Sequence, residues 1–437
     1  MQTKLFALVL MKLLVRRSDP VLKPSQGVHT DPLLSYNGHI ETQSMITLRP
    51  HQHRAIAAMQ KYSKGQILVP TGGGKTLKMI VDAMRLFLSE TPKTVVVCAP
   101  RILLAEQLSS EFLEHITNAE VLHVHSGETH HVSTTKPADI VVHTGMCLAA
   151  GRHQLIFTTY NSLQRLVDAD IDVDTIYFDE AHNSVKRNFF PATEHFSAAA
   201  KRCYFFTATP KHSLTISKPG MNMPEVYGQV ICQVPAPELV EQGYILPPKV
   251  VVKQLPMVKG KQVVFSRDAD NLIETIDEQD VKKILVCART TKQIIGLVSE
   301  SDFCQQLMQR GYSWMMITSK TGAVIDGQKV DREKFFDTLN AWGKDSSKKF
   351  VVLHHSILSE GINVNGLEAV LFMRNMDYIG ISQSIGRVIR LGDKSKTFGL
   401  VCVPVYDSVG ISTSRKVQAV VDTIFHKGEP AISVTKR

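Results

Sequence analysis

Eight residues, Val69-Pro-Thr-Gly-Gly-Gly-Lys-Thr76, constrain the fold of this chain more than any other stretch. They follow a short apolar run, Ile67–Val69, and open onto Leu77–Leu88, where apolar residues recur at helical spacing. Strand, glycine-rich loop and helix in that order are the context of a phosphate-binding loop. The glycines let consecutive backbone N–H groups turn inward around phosphate oxygens, and the helix adds its positive N-terminal end. In this reading Thr71, Gly72, Gly73 and Gly74 cradle the phosphates of ATP. Lys75 supplies a cation for the β- and γ-phosphates, and Thr76 a hydroxyl for Mg²⁺. The strict pattern wants glycine where Val69 stands.

The surrounding sequence alternates strands and helices. Between Leu48 and about Pro210 the candidate strands are Ile67–Val69, Thr94–Cys98, Gln154–Thr158, Thr175–Phe178 and Cys203–Phe206. They are short and apolar without polar alternation, as buried parallel strands are. A proline- and glycine-rich segment follows, and then a second alternating block. Its candidate strands are Lys283–Cys287, Trp314–Thr318, Phe350–Leu353, Ala369–Met373 and Gly399–Val403. The expectation is an α/β chain of two doubly wound parallel-sheet domains, residues 45–215 and 249–437, joined by a connection over 216–248.

Residues 1–44 are read as an extension outside the fold. Leu5–Val15 is apolar but broken by Lys12, and too short to span a membrane. Organelle targeting is the alternative to a start at Met45. A formal charge of +9 fits a polyanionic partner such as nucleic acid. The seven scattered cysteines form no Cys-x-x-Cys pair, so they read as buried thiols in a reducing interior, cytoplasmic or nuclear.

In open parallel sheets ligands bind beyond the carboxyl ends of strands, and the polar clusters fall there. Asp179-Glu-Ala-His182 follows Ile176–Phe178. An acid at that position holds Mg²⁺, so Asp179 is the metal ligand; its neighbour Glu180 is the general base that activates water. Thr207-Ala-Thr-Pro210 follows the next strand, where the Thr207 and Thr209 hydroxyls are placed to link the acidic loop to the other domain. In the second block Ser359-Glu-Gly-Ile-Asn363 follows Phe350–Leu353, and Gln383-Ser-Ile-Gly-Arg387-Val-Ile-Arg390 lies farther on. Arg387 and Arg390 are three apart, so on a helix they share a face suited to a triphosphate.

Taken in order, these motifs resemble those of superfamily 2 helicases and nucleic-acid translocases, over Leu48 to about Val403. The resemblance implies two RecA-like lobes with ATP between them, Arg387 and Arg390 being arginine fingers delivered by lobe two. Leu48-Arg-Pro-His-Gln52 resembles the segment whose glutamine contacts adenine, which puts that role on Gln52. Ala99–Gln107 and Phe157–Leu163 resemble backbone-contacting segments, implying nucleic-acid contacts at Arg101, Thr158 and Thr159. Asp179–His182 spells the DEAH box; His182 and Gln383 join Thr207 and Thr209 as coupling residues. Ser359–Val364 resembles a motif implying nucleotide contacts at Gly361 and Asn363.

Two spellings favour DNA over RNA as the partner. Thr-Ala-Thr-Pro and Gln-Ser-Ile-Gly-Arg-Val-Ile-Arg look more like the branch of restriction-enzyme motor subunits and duplex translocases. DEAH-type RNA helicases usually carry Ser-Ala-Thr and a motif richer in glycine and arginine. Asn363 stands where the DNA-directed branch often has Asp. The expected function is an ATP-dependent DNA helicase or translocase with little sequence preference. The alternatives are a duplex translocase without unwinding, an RNA helicase, and a binding module whose ATPase site has decayed. His123, His125, His130, His131 and Cys147 form a histidine-rich stretch read as polar loop residues rather than a metal site.

Overall fold

Continuous apolar strands separated by helices build parallel sheets, because a parallel pair needs a crossover that packs back on the sheet. A computed structural model describes residues 46–215, 217–255, 263–318, 320–355, 366–373, 376–391 and 396–435. The extension 1–44 and the Ser359–Val364 motif, with Gly361 and Asn363, lie outside the described residues.

The first lobe begins with α1 (Pro50–Lys61), β1 (Lys64–Leu68), α2 (Lys75–Leu86), β2 (Thr94–Ala99) and α3 (Ile102–Leu113). It continues through β3 (Ala119–Val124), α4 (Pro137–Ala149), β4 (His153–Thr159), α5 (Leu163–Ala169), β5 (Thr175–Phe178) and α6 (Phe190–Ala199). After β6 (Arg202–Thr207) come β7 (Lys211–Ser213), α7 (Pro224–Tyr227), β8 (Val230–Gln233) and α8 (Ala236–Glu241). The second lobe holds β9 (Pro248–Leu255), α9 (Val263–Gln279), β10 (Lys283–Cys287), α10 (Thr291–Ser299) and α11 (Phe303–Gln309). Then follow β11 (Ser313–Thr318), β12 (Gly322–Ile325), β13 (Gln328–Val330), α12 (Arg332–Lys344), β14 (Phe350–His354) and β15 (Ala369–Phe372). Last are α13 (Tyr378–Val388), β16 (Gly399–Tyr406), α14 (Asp407–Val421), a π-turn over Asp422–His426, and β17 (Ser433–Thr435).

Seven strands form a wholly parallel sheet in the order β3-β4-β2-β5-β6-β1-β8. Eight form the second, β13-β12-β11-β14-β10-β15-β16-β9, parallel except along β11-β12-β13. These are two tandem RecA-like domains. All ten strands expected from the sequence are present, with ends shifted by up to three residues. The segment 216–248 does more than connect: β8 within it extends the first sheet beside β1. The return path is a second link, for β17 pairs in parallel with β7 of the first lobe.

Strands buried on both faces explain the unbroken apolar runs. Along β2, Val95, Val97 and Ala99 enter one core, and Val96 and Cys98 the other. β10 divides likewise, Leu285 and Cys287 against Ile284 and Val286. All seven cysteines are unpaired thiols and six are buried. No helix among the described residues is long and apolar enough to cross a membrane.

Candidate nucleotide site between the lobes

β5, β6 and β1 are neighbours in the first sheet, so the loops at their carboxyl ends meet. Those loops are Asp179–His182, Thr207–Pro210 and the glycine-rich loop. The phosphate loop turns through left-handed backbone at Gly72 (φ 86°) and Gly74 (φ 71°), which glycine adopts without strain. A side chain on Gly74 would also stand against the Gln52 amide. From behind, the wholly buried Lys78 donates Nζ to Gly73 O (2.7 Å) and Gly74 O (3.3 Å). His51 Nε2 lies 3.0 Å from Gly73 O. With those carbonyls turned into the protein, the loop's amide side is left to the cleft. Burial lowers Lys78 to about 7 and His51 to about 4. Neither residue was singled out in the sequence.

A cleft of about 350 Å³ runs between the lobes. The first lobe lines it with Thr71, Gly72, Gly74, Lys75, Thr76, Asp179 and Glu180, the second with Gln383, Arg387 and Arg390. Lys75 Nζ donates to Glu180 Oε1 at 3.2 Å. Glu180 itself has φ 45°, a strained conformation for a residue with a side chain, of the type that clusters at functional sites. Asp179 is fixed through its peptide: its N–H bonds Cys98 O at 2.9 Å, and the Tyr160 hydroxyl donates to its carbonyl at 2.9 Å.

The charges of the cleft pull the two acids apart. Burial and then the charge of Glu180 raise the Asp179 carboxyl to about 7. Burial pushes Glu180 upward too, but Lys75, His182 and Arg387 outweigh it, and Glu180 ends below the ordinary range. Arg387 is brought down to about 10 by burial and by Arg390, and burial lowers Arg390 as well. The Nε of Arg390 is buried without a hydrogen-bond partner. Cations crowded together and a carboxyl short of a cation fit a polyanion bound with a divalent metal. Thr76 and Asp179 line the cleft together and could supply the oxygen ligands of such a metal.

His182 joins the lobes. Its Nδ1 lies 2.9 Å from Thr207 Oγ1 and 3.3 Å from Thr209 Oγ1, and Gln383 reaches from α13 to within 3.5 Å of its Nε2. Glu180 Oε2 is 3.5 Å from the same Nδ1. The four residues expected to couple the lobes thus meet in one buried group.

Three expected positions differ. Gln52 is spent on α1: Arg49 N–H donates to Gln52 Oε1 at 2.8 Å, the back-bond of a residue at the third helical position. Gln52 does not line the cleft; Arg49 and Tyr244 do, with the guanidinium 4.2 Å above the ring. Thr158 and Thr159 are buried, and their hydroxyls bond Val124 O (2.9 Å) and Ser162 Oγ (3.4 Å). The sheet needs these β-branched residues inside, which takes their side chains away from a polymer contact. Arg101 stands at the N-terminal boundary of α3, partly buried and without a capping side-chain bond, and its charge is felt at Arg387.

Residues 45–212 match the family described as Type III restriction enzyme, res subunit. Comparison with curated protein sequences gives no match. Among solved structures, the ATP-dependent Type ISP restriction-modification enzyme LlaBIII bound to DNA superposes with a TM-score of 0.67 at 17% identity. That match covers 89% of this chain and 31% of the enzyme. The fragment structure of an HsdR subunit of a type I restriction enzyme from Vibrio vulnificus YJ016 gives 0.57 at 16%, covering 88% and 67%. Mss116p bound to ssRNA and AMP-PNP gives 0.56 at 14%, covering 89% and 78%. This chain thus spans under a third of LlaBIII. What these proteins share with it is the tandem RecA-like fold.

Proposed function

We propose that this chain is an ATP-dependent DNA helicase or translocase of superfamily 2. One observation carries the reading: Lys75, Asp179 and Glu180 of one lobe face Arg387 and Arg390 of the other across a single cleft. Lys75 and the glycine-rich loop bind the phosphates of ATP. Mg²⁺, held by Thr76 and Asp179, neutralises phosphate charge when bound. Glu180, kept ionised, accepts the proton of the attacking water. Arg387 and Arg390 place positive charge on the transferring phosphoryl group only while the lobes are closed, so hydrolysis depends on closure. His182, touching Glu180 on one side and Gln383 on the other, links that closure to the base. Arg49, stacked on Tyr244 at the cleft, offers the outer plane of its guanidinium to a purine ring.

The DNA partner is supported by the motif spellings, by the family match, and by LlaBIII, whose structure holds DNA. Mss116p, bound to ssRNA, is the precedent for the RNA alternative. The test is steady-state ATPase activity with single-stranded DNA, duplex DNA, RNA or no polymer, beside Lys75→Ala. Stimulation by DNA, lost in Lys75→Ala, is expected. Stimulation by RNA alone moves the chain to the RNA branch, and full turnover without polymer refutes a motor. Triplex displacement alongside a strand-separation assay distinguishes translocation from unwinding.

A further inference from the structure

Two residues of the histidine-rich stretch, His123 and His125, are not in a polar loop. His123 belongs to β3, and His125 follows directly; both are buried, at 0% and 2% exposure. Across from them, α3 contributes Glu106. Glu106 Oε1 lies 3.1 Å from His123 Nδ1 and 3.1 Å from His125 Nε2, and the two nitrogens are 3.0 Å apart. Three donor atoms from two elements thus form a nearly equilateral triangle. We propose that Glu106, His123 and His125 form a zinc site that ties β3 to α3.

The donor set and spacing carry the assignment. Two imidazole nitrogens and a carboxylate oxygen are a common set for Zn²⁺, with bonds of roughly 2.0–2.2 Å. An ion at about 2.05 Å from each corner would sit about 1 Å above the plane of the triangle. A regular tetrahedron at that bond length separates its ligands by about 3.3 Å, so the corners need to spread by only about 0.3 Å. Without an ion the triangle is poorly served by hydrogens. Glu106 Oε1 is buried with two ring nitrogens beside it, and neither is in good hydrogen-bond geometry to it.

The surrounding contacts have the form of an outer shell. Ser109 Oγ lies 3.0 Å from His123 Nε2, and Thr129 Oγ1 donates to the second carboxylate oxygen of Glu106 at 3.1 Å. Such contacts orient ligands and fix tautomers. One contact opposes binding: Gly127 N–H donates to His125 Nδ1 at 3.2 Å, which leaves the His125 hydrogen on Nε2, inside the triangle. Coordination through Nε2 moves that hydrogen to Nδ1 and gives up the Gly127 bond, so affinity is lower than in a site without this competitor. The exposed His130 and His131 stay outside the ligand set.

The test uses the full chain, stripped by a chelator and free of nucleotide and Mg²⁺. Zn²⁺ is titrated in competition with a chromogenic chelator. Wild type should bind one equivalent tightly. His123→Ala and His125→Ala should lose it, and Ser109→Ala should weaken it roughly 10- to 100-fold. The double variant His130→Ala/His131→Ala should keep it. Glu106→Gln keeps shape and bulk, so it separates folding from ligation: Zn²⁺ should raise the thermal midpoint of wild type and not that of Glu106→Gln. Co²⁺ should give the visible absorption of a four-coordinate site in wild type only. Zn²⁺ held equally by His123→Ala or Glu106→Gln, lost in the His130/His131 variant, or not bound by wild type would overturn the proposal.

Discussion

Gly386 of the second lobe packs directly against Thr71 of the glycine-rich loop, and substituting it tests whether catalysis needs that approach. It sits inside α13 between Gln383 and Arg387. A Cβ built there would lie 2.5 Å from Thr71 Cβ, 2.7 Å from its Oγ1 and 2.8 Å from its Cγ2. Carbon atoms pack at about 3.5–4.0 Å, so Gly386→Ala must drive α13 from the phosphate loop by roughly 1 Å. Arg387, the next residue, moves with it. A misplacement of about 1 Å can cost about 100-fold in rate, equal to about 2.7 kcal/mol. The backbone of Gly386 is not in the left-handed region, so alanine adds no strain and should favour the helix by roughly 1 kcal/mol. The two effects have opposite signs in different assays. DNA-stimulated kcat should fall about 100-fold. Binding of a fluorescent ATP analogue, made by lobe one, should change little, and the thermal midpoint should hold or rise. Gly386→Val should be slower still. A Gly386→Ala protein that turns over within about twofold of wild type would refute the requirement for this closed geometry.

Other variants probe separate parts of the site. Glu180→Gln should keep nucleotide affinity and lose hydrolysis, since an amide takes no proton from water; normal turnover would remove Glu180 as the base. Arg387→Ala should lower kcat by about 10³-fold or more with a small change in nucleotide affinity; equal losses in both would make Arg387 a ground-state binding residue. The raised carboxyl of Asp179 gives a pH effect. The fold favours its neutral form, so its contribution to stability is present at low pH and lost as pH rises through about 7. Mg²⁺ needs the anion. Affinity for the Mg²⁺–nucleotide complex, measured against Asp179→Asn to subtract the titration of the nucleotide, should therefore rise about tenfold from pH 6 to pH 8; identical profiles would refute it. Gln52→Ala should cost about 1 kcal/mol in thermal unfolding, through the lost bond to Arg49, and leave the preference for ATP over GTP intact. A lost preference would return the adenine contact to Gln52.

What was legible in the sequence follows from how burial writes itself into a chain. Strands buried on both faces show as unbroken apolar runs, and all ten such runs are strands. β3 was missed because Glu120 and His123 interrupt it, and His123 is tolerated in the core only through its partners Glu106, His125 and Ser109. β9 opens on Pro248 and was read as the end of a connection, yet it is an edge strand, where a missing N–H costs little. Asp326-Gly327, both at positive φ, make the tight turn between β12 and β13, an Asp-Gly signal that the sequence does carry. In the site, residues at strand ends were readable because loop chemistry is local. Arg49, Tyr244 and Lys78 were not, since their roles depend on chain segments that meet only in space. The burial of Thr158 and Thr159 was not legible either: a motif spelling does not say which side of a strand end faces the core.

The pairing of β17 with β7 changes the kinematics of the molecule. A body attached at one flexible point can swivel about three axes; attached at two separated points, it keeps one. The chain passes from lobe one to lobe two through 242–248 and returns through 427–433. Twisting and sliding are suppressed, and rotation about the line through the two crossings remains. One turning angle then sets the distance from Arg387 to Lys75, so opening and closing of the cleft follow a single coordinate.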